Sequence, residues 1–480
     1  MDEHMTKEKK LIGEMDFAPF SAFLNMVFSK DKKESQVFLG VFVLLFLSSV
    51  LRDFTYDEAW TYSQTSVNTA AELISYKTFT WANNHILNSL YFKCVQLVGL
   101  TDKFFFRLLS LISFILYGSN VLRISKLQDG NLSYVSILVV FAPFIDYFSL
   151  GRGYALALAT LVVGLRLVCE AEKGNWRSTL VFTSAIIISC LSVFSFVYPA
   201  IALCVIWGLK GWLRNRPYNQ TFFAFISFSL AAGYVGYMGN KVMLFDPFIP
   251  GSLNFIKNGT ISSLVSYQAT NIFPIDGTAS LWLRAMITLV SFVVVILGGY
   301  RFWQGKMSSV EKNLVVLIAL ICVGLIAAHL LIGAPYPMGR GSLYLSFLAL
   351  FLASFILSKH HKSAAWLCII LLCTPSFVSL ANRTRDLTNE SVESFLKKDH
   401  PQEVVLISTK PFPALTAGRD RFSPATKITR FKTFDEYKAQ SRQGHMLIVS
   451  KYSTIFFSDV ESKSVKALQG NWVLIEKFEP

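Results

Sequence analysis

The sequence predicts an all-α polytopic membrane protein with a small α/β domain at its C-terminal end. Three observations carry that fold class. Only 16% of the 480 residues are charged, whereas 53% are hydrophobic and 42 are Phe; soluble domains carry about 25% charged residues. Long apolar runs recur between Val37 and Ala381, a pattern that fits repeated crossing of a bilayer by helices. From Asn382 onward no run reaches membrane length, and short apolar stretches alternate with polar segments.

Charge and cysteine usage narrow the class further. A net charge of +14 in such a chain reads as basic cytoplasmic loops. No zinc-finger spacing, Walker loop or RNA-binding signature points to nucleic acid as a partner. The seven cysteines form no CxxC pair and lie mostly in apolar runs, so they read as small buried hydrophobes, with no metal site and no disulfide framework. Residues 1–36 are polar and lysine-bearing. They read as a cytoplasmic segment and not as a cleavable signal peptide, with one mildly apolar patch from Phe17 to Phe28.

The transmembrane domain is expected over 37–381, with about eleven spans. Val37 to Leu51 is the first. The insert 52–103 is the first outer loop, and Glu58 to Tyr76 and Asn83 to Leu100 show helical apolar spacing suited to the interface plane. Spans follow over Phe104 to Ile124, Leu132 to Leu150, Tyr154 to Val168, Thr179 to Phe194, Val197 to Leu209 and Phe222 to Met238. Ser195 to Pro199 breaks what would otherwise be one very long helix. A second large outer loop covers 239–280. Leu281 to Tyr300, Leu314 to Ile332, Leu343 to Leu357 and Ala364 to Ala381 complete the set.

Lys and Arg orient the chain. With the N-terminus in the cytoplasm, the inner segments hold the N-terminal lysines, Arg123, Lys126, Arg166, Lys173, Arg177, Lys210, Arg214, Arg216, Arg301, Lys306, Lys312, Lys359 and Lys362. These outnumber the basic residues of the opposite loops, which gives an N-in, C-out topology. The tail, 382–480, then lies outside. Its apolar stretches at Glu403 to Ile407, His445 to Val449 and Trp472 to Ile475 read as strands, and Asp386 to Leu396 and Asp435 to Gln440 as helices, giving an α/β domain.

On the outer face, chemistry-bearing residues gather in few places. Asp53, Asp57 and Glu58 follow the first span, where carboxylates beside hydrocarbon are costly. Asn83, Asn84, His85 and Asn88 open the second interfacial helix. Arg107 begins the second span. Arg152 and Tyr154 lie at one outer turn, and Tyr336 and Arg340 at another. A carboxylate can take a proton from an acceptor hydroxyl or amine. Guanidinium groups can hold a phosphate and stabilise charge as it leaves. Taken singly, each residue has a plainer use. Arg152, Arg340 and Arg107 could anchor helix ends to headgroups, Asn84 could cap a helix, and His329 could pack within its span.

Together these pieces resemble the GT-C class of membrane glycosyltransferases, most of all the branch containing protein O-mannosyltransferases and the aminoarabinose transferases of lipid A. The resemblance rests on Asp57-Glu58 in the first outer loop, Asn83-Asn84-His85-Ile86-Leu87-Asn88, Phe106-Arg107-Leu108-Leu109-Ser110, Arg152-Gly153-Tyr154-Ala155-Leu156, and Tyr336-Pro337 with Arg340, in that order. It covers roughly Val37 to Leu357. It implies transfer of a monosaccharide from a polyprenyl-phosphate carrier to a lipid, glycan or protein acceptor on the periplasmic side of a bacterial inner membrane. It implies Asp57 as base, with Glu58 supporting it or contacting the acceptor. Arg152 and Arg340 would hold the lipid phosphate, and Asn84, His85, Tyr154 and Tyr336 would line the substrate site. Some members of the class use a divalent metal, but no dense carboxylate or histidine cluster here demands one. The second loop carries no extra domain like that of eukaryotic mannosyltransferases, and the short tail is closer to the bacterial lipid-modifying members. The competing readings are a transporter or flippase for lipid-linked saccharide, which the nearly charge-free spans do not favour, and a non-catalytic assembly protein.

Overall fold

The first apolar run forms helix α1 (Lys33–Leu51) in the computed structural model. The model describes residues 33–51, 54–77, 84–127, 147–170, 175–213, 217–245, 251–252, 298–337, 339–358, 403–407, 427–431, 446–450, 465–468 and 472–475. The loop after α1 carries α2 (Tyr56–Val67), α3 (Ala70–Ser75) and α4 (Ile86–Leu97). Then come α5 (Lys103–Lys126), α6 (Gly153–Glu170), α7 (Trp176–Ser192), α8 (Val197–Leu213), α9 (Tyr218–Phe245), α10 (Ser309–Ile332) and α11 (Leu343–Ser358). Among the described residues, five helical stretches are long and apolar enough to cross a membrane: Lys103–Ser125, Gly153–Glu170, Phe194–Leu213, Tyr218–Lys241 and Ser309–Ile332. The expected spans over 364–381 and most of 132–150 and 281–300 lie outside the described residues, as do the patch 17–28 and the tail helices over 386–396 and 435–440.

Three boundaries differ from the sequence reading, each for a local reason. The expected helix from Glu58 to Tyr76 is two helices. Thr69 opens the second with a capping box, its hydroxyl accepting from the Glu72 N–H while the Glu72 carboxylate accepts from the Thr69 N–H, which is the Thr-x-x-Glu signature of a helix start. A three-residue 3-10 turn, Phe194–Phe196, separates α7 from α8. Pro199 sits in the first turn of α8, where a missing N–H costs nothing. Helix α9 runs on to Phe245, past the end expected at Met238 and into the second loop.

The chain forms two compact units. The first takes in residues 1–47, 80–87 and 108–381. Helix α6 is buried along nearly its whole length, and a helix apolar all round belongs in a core. A Cβ at Gly164 would stand 3.3 Å from both Ile186 and Leu203, so the glycine keeps α7 and α8 close to α6. The Phe38 ring lies over Gly118 and stacks on Phe114 at 4.7 Å, which packs α1 on α5.

The second unit takes in 48–79, 88–107 and 382–480. Its tail forms a five-stranded sheet in the order β4-β3-β5-β7-β6, from β3 (Glu403–Ile407), β4 (Lys427–Phe431), β5 (Met446–Ser450), β6 (Val465–Leu468) and β7 (Trp472–Ile475). The β4, β3 and β5 strands run parallel, and β7 and β6 are antiparallel additions.

Candidate functional site

The Asp57-Glu58 motif stands in the first turn of α2. Thr55 is the N-cap, and its hydroxyl accepts from the Glu58 N–H at 3.4 Å. Thr55 N–H and Oγ1 in turn donate to Glu58 Oε2 at 2.8 and 3.1 Å. This is a second capping box, and it places two carboxylates at the positive end of the helix dipole, where negative charge is favoured. The two acids have different surroundings. Asp57 is half-buried. The Glu58 side chain is 0% exposed and pairs with Arg107, also 0% exposed.

The pairing is bidentate. Arg107 Nε donates to Glu58 Oε1 and Nη2 to Oε2, each at 2.8 Å, while Nη1 donates to the Ser49 carbonyl at 3.0 Å. The guanidinium also lies 5.9 Å from the Phe54 ring centroid. Phe54, Ala59, Tyr62, Phe92, Val95 and Phe106 form an apolar cluster in the same unit. Arginine suits such a site because its planar fork matches a carboxylate and is weakly hydrated. The sequence alone read Arg107 as a helix-end anchor to headgroups; the structure shows it gripping the second acid of the motif. Helix α4 is tied to the end of α2 by Lys93 Nζ donating to the Thr65 carbonyl at 2.9 Å and Gln96 Nε2 donating to the Tyr62 carbonyl at 3.0 Å.

The other unit gathers the remaining motifs. Asn84 and His85 are buried just before α4, and Arg152 and Tyr154 are buried at the start of α6. The His85 ring meets Tyr154 edge-on at 4.9 Å, and Tyr147 packs on Tyr154 at 4.7 Å. Arg152 N–H donates to the Leu150 carbonyl at 2.8 Å. The Ser110 hydroxyl donates to the same carbonyl, a use of the Phe-Arg-Leu-Leu-Ser motif that the sequence did not show. Gly153 allows the assembly to close, because a Cβ there would lie 2.4 Å from the Ser192 carbonyl oxygen and 2.9 Å from His85 Cβ. The result is a buried guanidinium beside the N-terminus of a helix, a combination that favours an anion.

The turn carrying Tyr336 and Arg340 joins this end of the unit. Strand β2 (Tyr336–Pro337) pairs antiparallel with β1 (Gly251–Ser252), which fastens part of the second loop to the turn. The Tyr336 ring stacks on His329 at 4.4 Å, and His329 Nδ1 lies 2.9 Å from the Ala334 carbonyl oxygen. Arg340 falls in the 3-10 turn Gly339–Ser342; its side chain is outside the described residues. A Cβ at Gly341 would come within 4.0 Å of Ser195 Oγ, and Phe196 meets Tyr344 edge-on at 5.2 Å. The turn thus packs on the 3-10 segment that directly follows α7. The structure brings His85, Arg152 and Tyr154 together and sets the Tyr336 turn beside the next segment. Asp57 and Glu58 belong to the second unit. Among the described residues, no group of three or more His, Cys, Asp or Glu is placed to hold a metal ion.

At the far end of the first unit, exposed aromatics collect: Trp176, Trp212, Tyr218 and Trp303. Lys210 Nζ donates to the Val168 carbonyl at 2.8 Å, and Arg301 pairs with buried Glu311 at 3.2 Å. Aromatics of this kind mark a membrane–water boundary.

No protein-family model matches the chain, and no curated protein does. Solved structures do. The apo structure of ArnT from Cupriavidus metallidurans matches with a TM-score of 0.55 at 9% identity, over 92% of this chain and 97% of that one. The same enzyme bound to undecaprenyl phosphate matches with a TM-score of 0.52 at 10% identity, over the same shares. The mycobacterial arabinofuranosyltransferase AftD matches at 0.36 and 13% identity, over 88% of this chain and 37% of that one. ArnT is a lipid A aminoarabinose transferase, and both proteins are GT-C glycosyltransferases. Across almost its whole length, the chain has a fold similar to that of ArnT.

Proposed function

We propose that the protein is a glycosyltransferase that moves a monosaccharide from a polyprenyl-phosphate carrier to a lipid, glycan or protein acceptor on the periplasmic face of a bacterial inner membrane. The observation that carries this reading is the end-to-end fold likeness to ArnT, one form of which holds undecaprenyl phosphate. The buried Arg152 at the N-terminus of α6, flanked by His85 and Tyr154, supports it with the chemistry a lipid phosphate needs. Exposed aromatics and basic residues at the opposite end of that unit support a cytoplasmic placement there, with Arg152 facing out.

In the reaction, the acceptor O–H or N–H attacks the anomeric carbon as Asp57 takes its proton. The bond from that carbon to the phosphate oxygen breaks, and its electron pair stays on the oxygen. Arg152 and Arg340 hold the phosphate as its charge grows. Asn84, His85, Tyr154 and Tyr336 shape the slot for the headgroup. One base opposite one leaving group gives inversion.

The test uses purified protein in proteoliposomes with a lipid extract from the source cells. Release of undecaprenyl phosphate by wild type, together with its loss in Arg152→Gln, supports the reading. Movement of the lipid-linked sugar across the bilayer without carrier release would replace it with a flippase.

A further inference from the structure

We infer that Glu58 and Arg107 form a positioning pair for Asp57: their buried ion pair fixes the first turn of α2, and neither residue touches substrate. This rests on the reading of Asp57 as the base. A carboxylate offers about four lone-pair sites. At Glu58 these receive Arg107 Nε on Oε1 and Arg107 Nη2, Thr55 N–H and Thr55 Oγ1 on Oε2. Oε2 is saturated, and the whole side chain is sealed from solvent, so an acceptor hydroxyl has no path to either oxygen.

The same pair binds three segments of one unit. Arg107 lies in the first turns of α5 and reaches the Ser49 carbonyl near the end of α1. Through Glu58 it holds the start of α2. Asp57 is the preceding residue, about 100° around the helix, and is half-buried where Glu58 is closed off. A helix start frays readily because its first N–H groups lack partners. Here the capping box and a bidentate arginine hold that turn, so Asp57 keeps one location. The two acids of the motif divide the work: Glu58 holds the helix start, and the half-buried Asp57 serves as base.

The experiment uses the full-length chain in proteoliposomes and has two readouts. In the first, a water-soluble carbodiimide with glycine ethyl ester labels accessible carboxyls, and peptide mass spectrometry reads the sites. Labelling of Asp57 with protection of Glu58 is expected; equal labelling of both overturns the inference. The second compares Glu58→Gln, Arg107→Met and the two together. Gln retains a capping-box acceptor, and Met fills the arginine's space without a charge. Each single change leaves a buried group without its partner, whereas the double change leaves no buried charge. The Asp57 labelling rate should shift by about tenfold in each single variant and return to within about twofold of wild type in the double. Carrier release from the lipid extract should follow the same order. A double variant that restores neither readout, or additive effects, overturns the inference and makes Glu58 a substrate contact. If wild type releases no carrier while the labelling cycle holds, the glycosyltransferase reading fails and the positioning pair stands.

Discussion

Gly153 and His85 are in such close contact that a single added methyl group has nowhere to go. A Cβ at position 153 would stand 2.9 Å from His85 Cβ and 2.4 Å from the Ser192 carbonyl oxygen. The second of these is backbone and cannot swing aside. Gly153→Ala must therefore push α6, α7 or the residues before α4 apart. Overpacking of this sort costs about 1–3 kcal/mol, so a lowered thermal midpoint is expected. Because Arg152 and Tyr154 flank the glycine, affinity for undecaprenyl phosphate should fall as well. An unchanged midpoint would show that the close approach does not exist in the membrane.

Asp57→Asn keeps the size of the side chain and its place in the capping turn but removes the proposed base. Transfer should drop by about 10²–10⁴-fold, the usual contribution of a general base. Expression, membrane insertion and carrier binding should stay as in wild type. Carrier release at the wild-type rate would remove Asp57 from the mechanism.

The spans that the described residues show were legible because a long apolar run has few other fates. The three central strands, β3, β5 and β7, were legible for a different reason: a short apolar run bounded by polar segments reads as a buried strand. The strands the sequence missed, β4 and β6, are the two edges of the sheet. Their sequences, Lys-Ile-Thr-Arg-Phe and Val-Lys-Ala-Leu, interleave basic and apolar residues. Edge strands tolerate and often use such charges against unwanted pairing, which weakens the strand signal. Arg152 and Tyr154 were singled out because they lie close together in sequence, and His85 because it stood in a polar cluster; the structure packs His85 against Tyr154. The partner of Glu58 was not found. Arg107 lies 49 residues away, and no periodicity links two positions at that distance. The break at Asn68, by contrast, was announced by Thr69-Ala70-Ala71-Glu72 and could have been read.

The same capping box makes α3 acid-sensitive. Glu72 Oε2 accepts from Thr69 N–H and Oγ1, each at 2.9 Å. Hydrogen bonds from the Thr69 backbone and then its hydroxyl hold the carboxyl below its ordinary 4.5. A lowered folded value means the cap contributes fully above the ordinary value and is lost as pH falls through the folded one. Amides of 70–77 should lose hydrogen-exchange protection over that acid window, after correction for intrinsic rates. Glu72→Gln, which still accepts from the cap, should flatten the dependence. If the variant shows the wild-type profile, another group controls it.

The Tyr344 hydroxyl gives a sharper test of the Tyr336–Arg340 end. The side chain is fully buried at the start of α11, and its Oη has no hydrogen-bond partner among the described residues. A buried hydroxyl left unsatisfied costs about 1–3 kcal/mol. Tyr344→Phe removes that cost with little change of shape, so the ligand-free protein should melt at a higher temperature. A lower midpoint would mean that the hydroxyl is already bonded in the folded chain. Adding undecaprenyl phosphate separates packing from binding, since a ligand that prefers the folded state raises the midpoint more the tighter it binds. An equal rise in wild type and Tyr344→Phe assigns the ring to packing against Phe196. A smaller rise in the variant assigns the hydroxyl to the carrier, and its unsatisfied state is then the stability given up to hold a lipid phosphate.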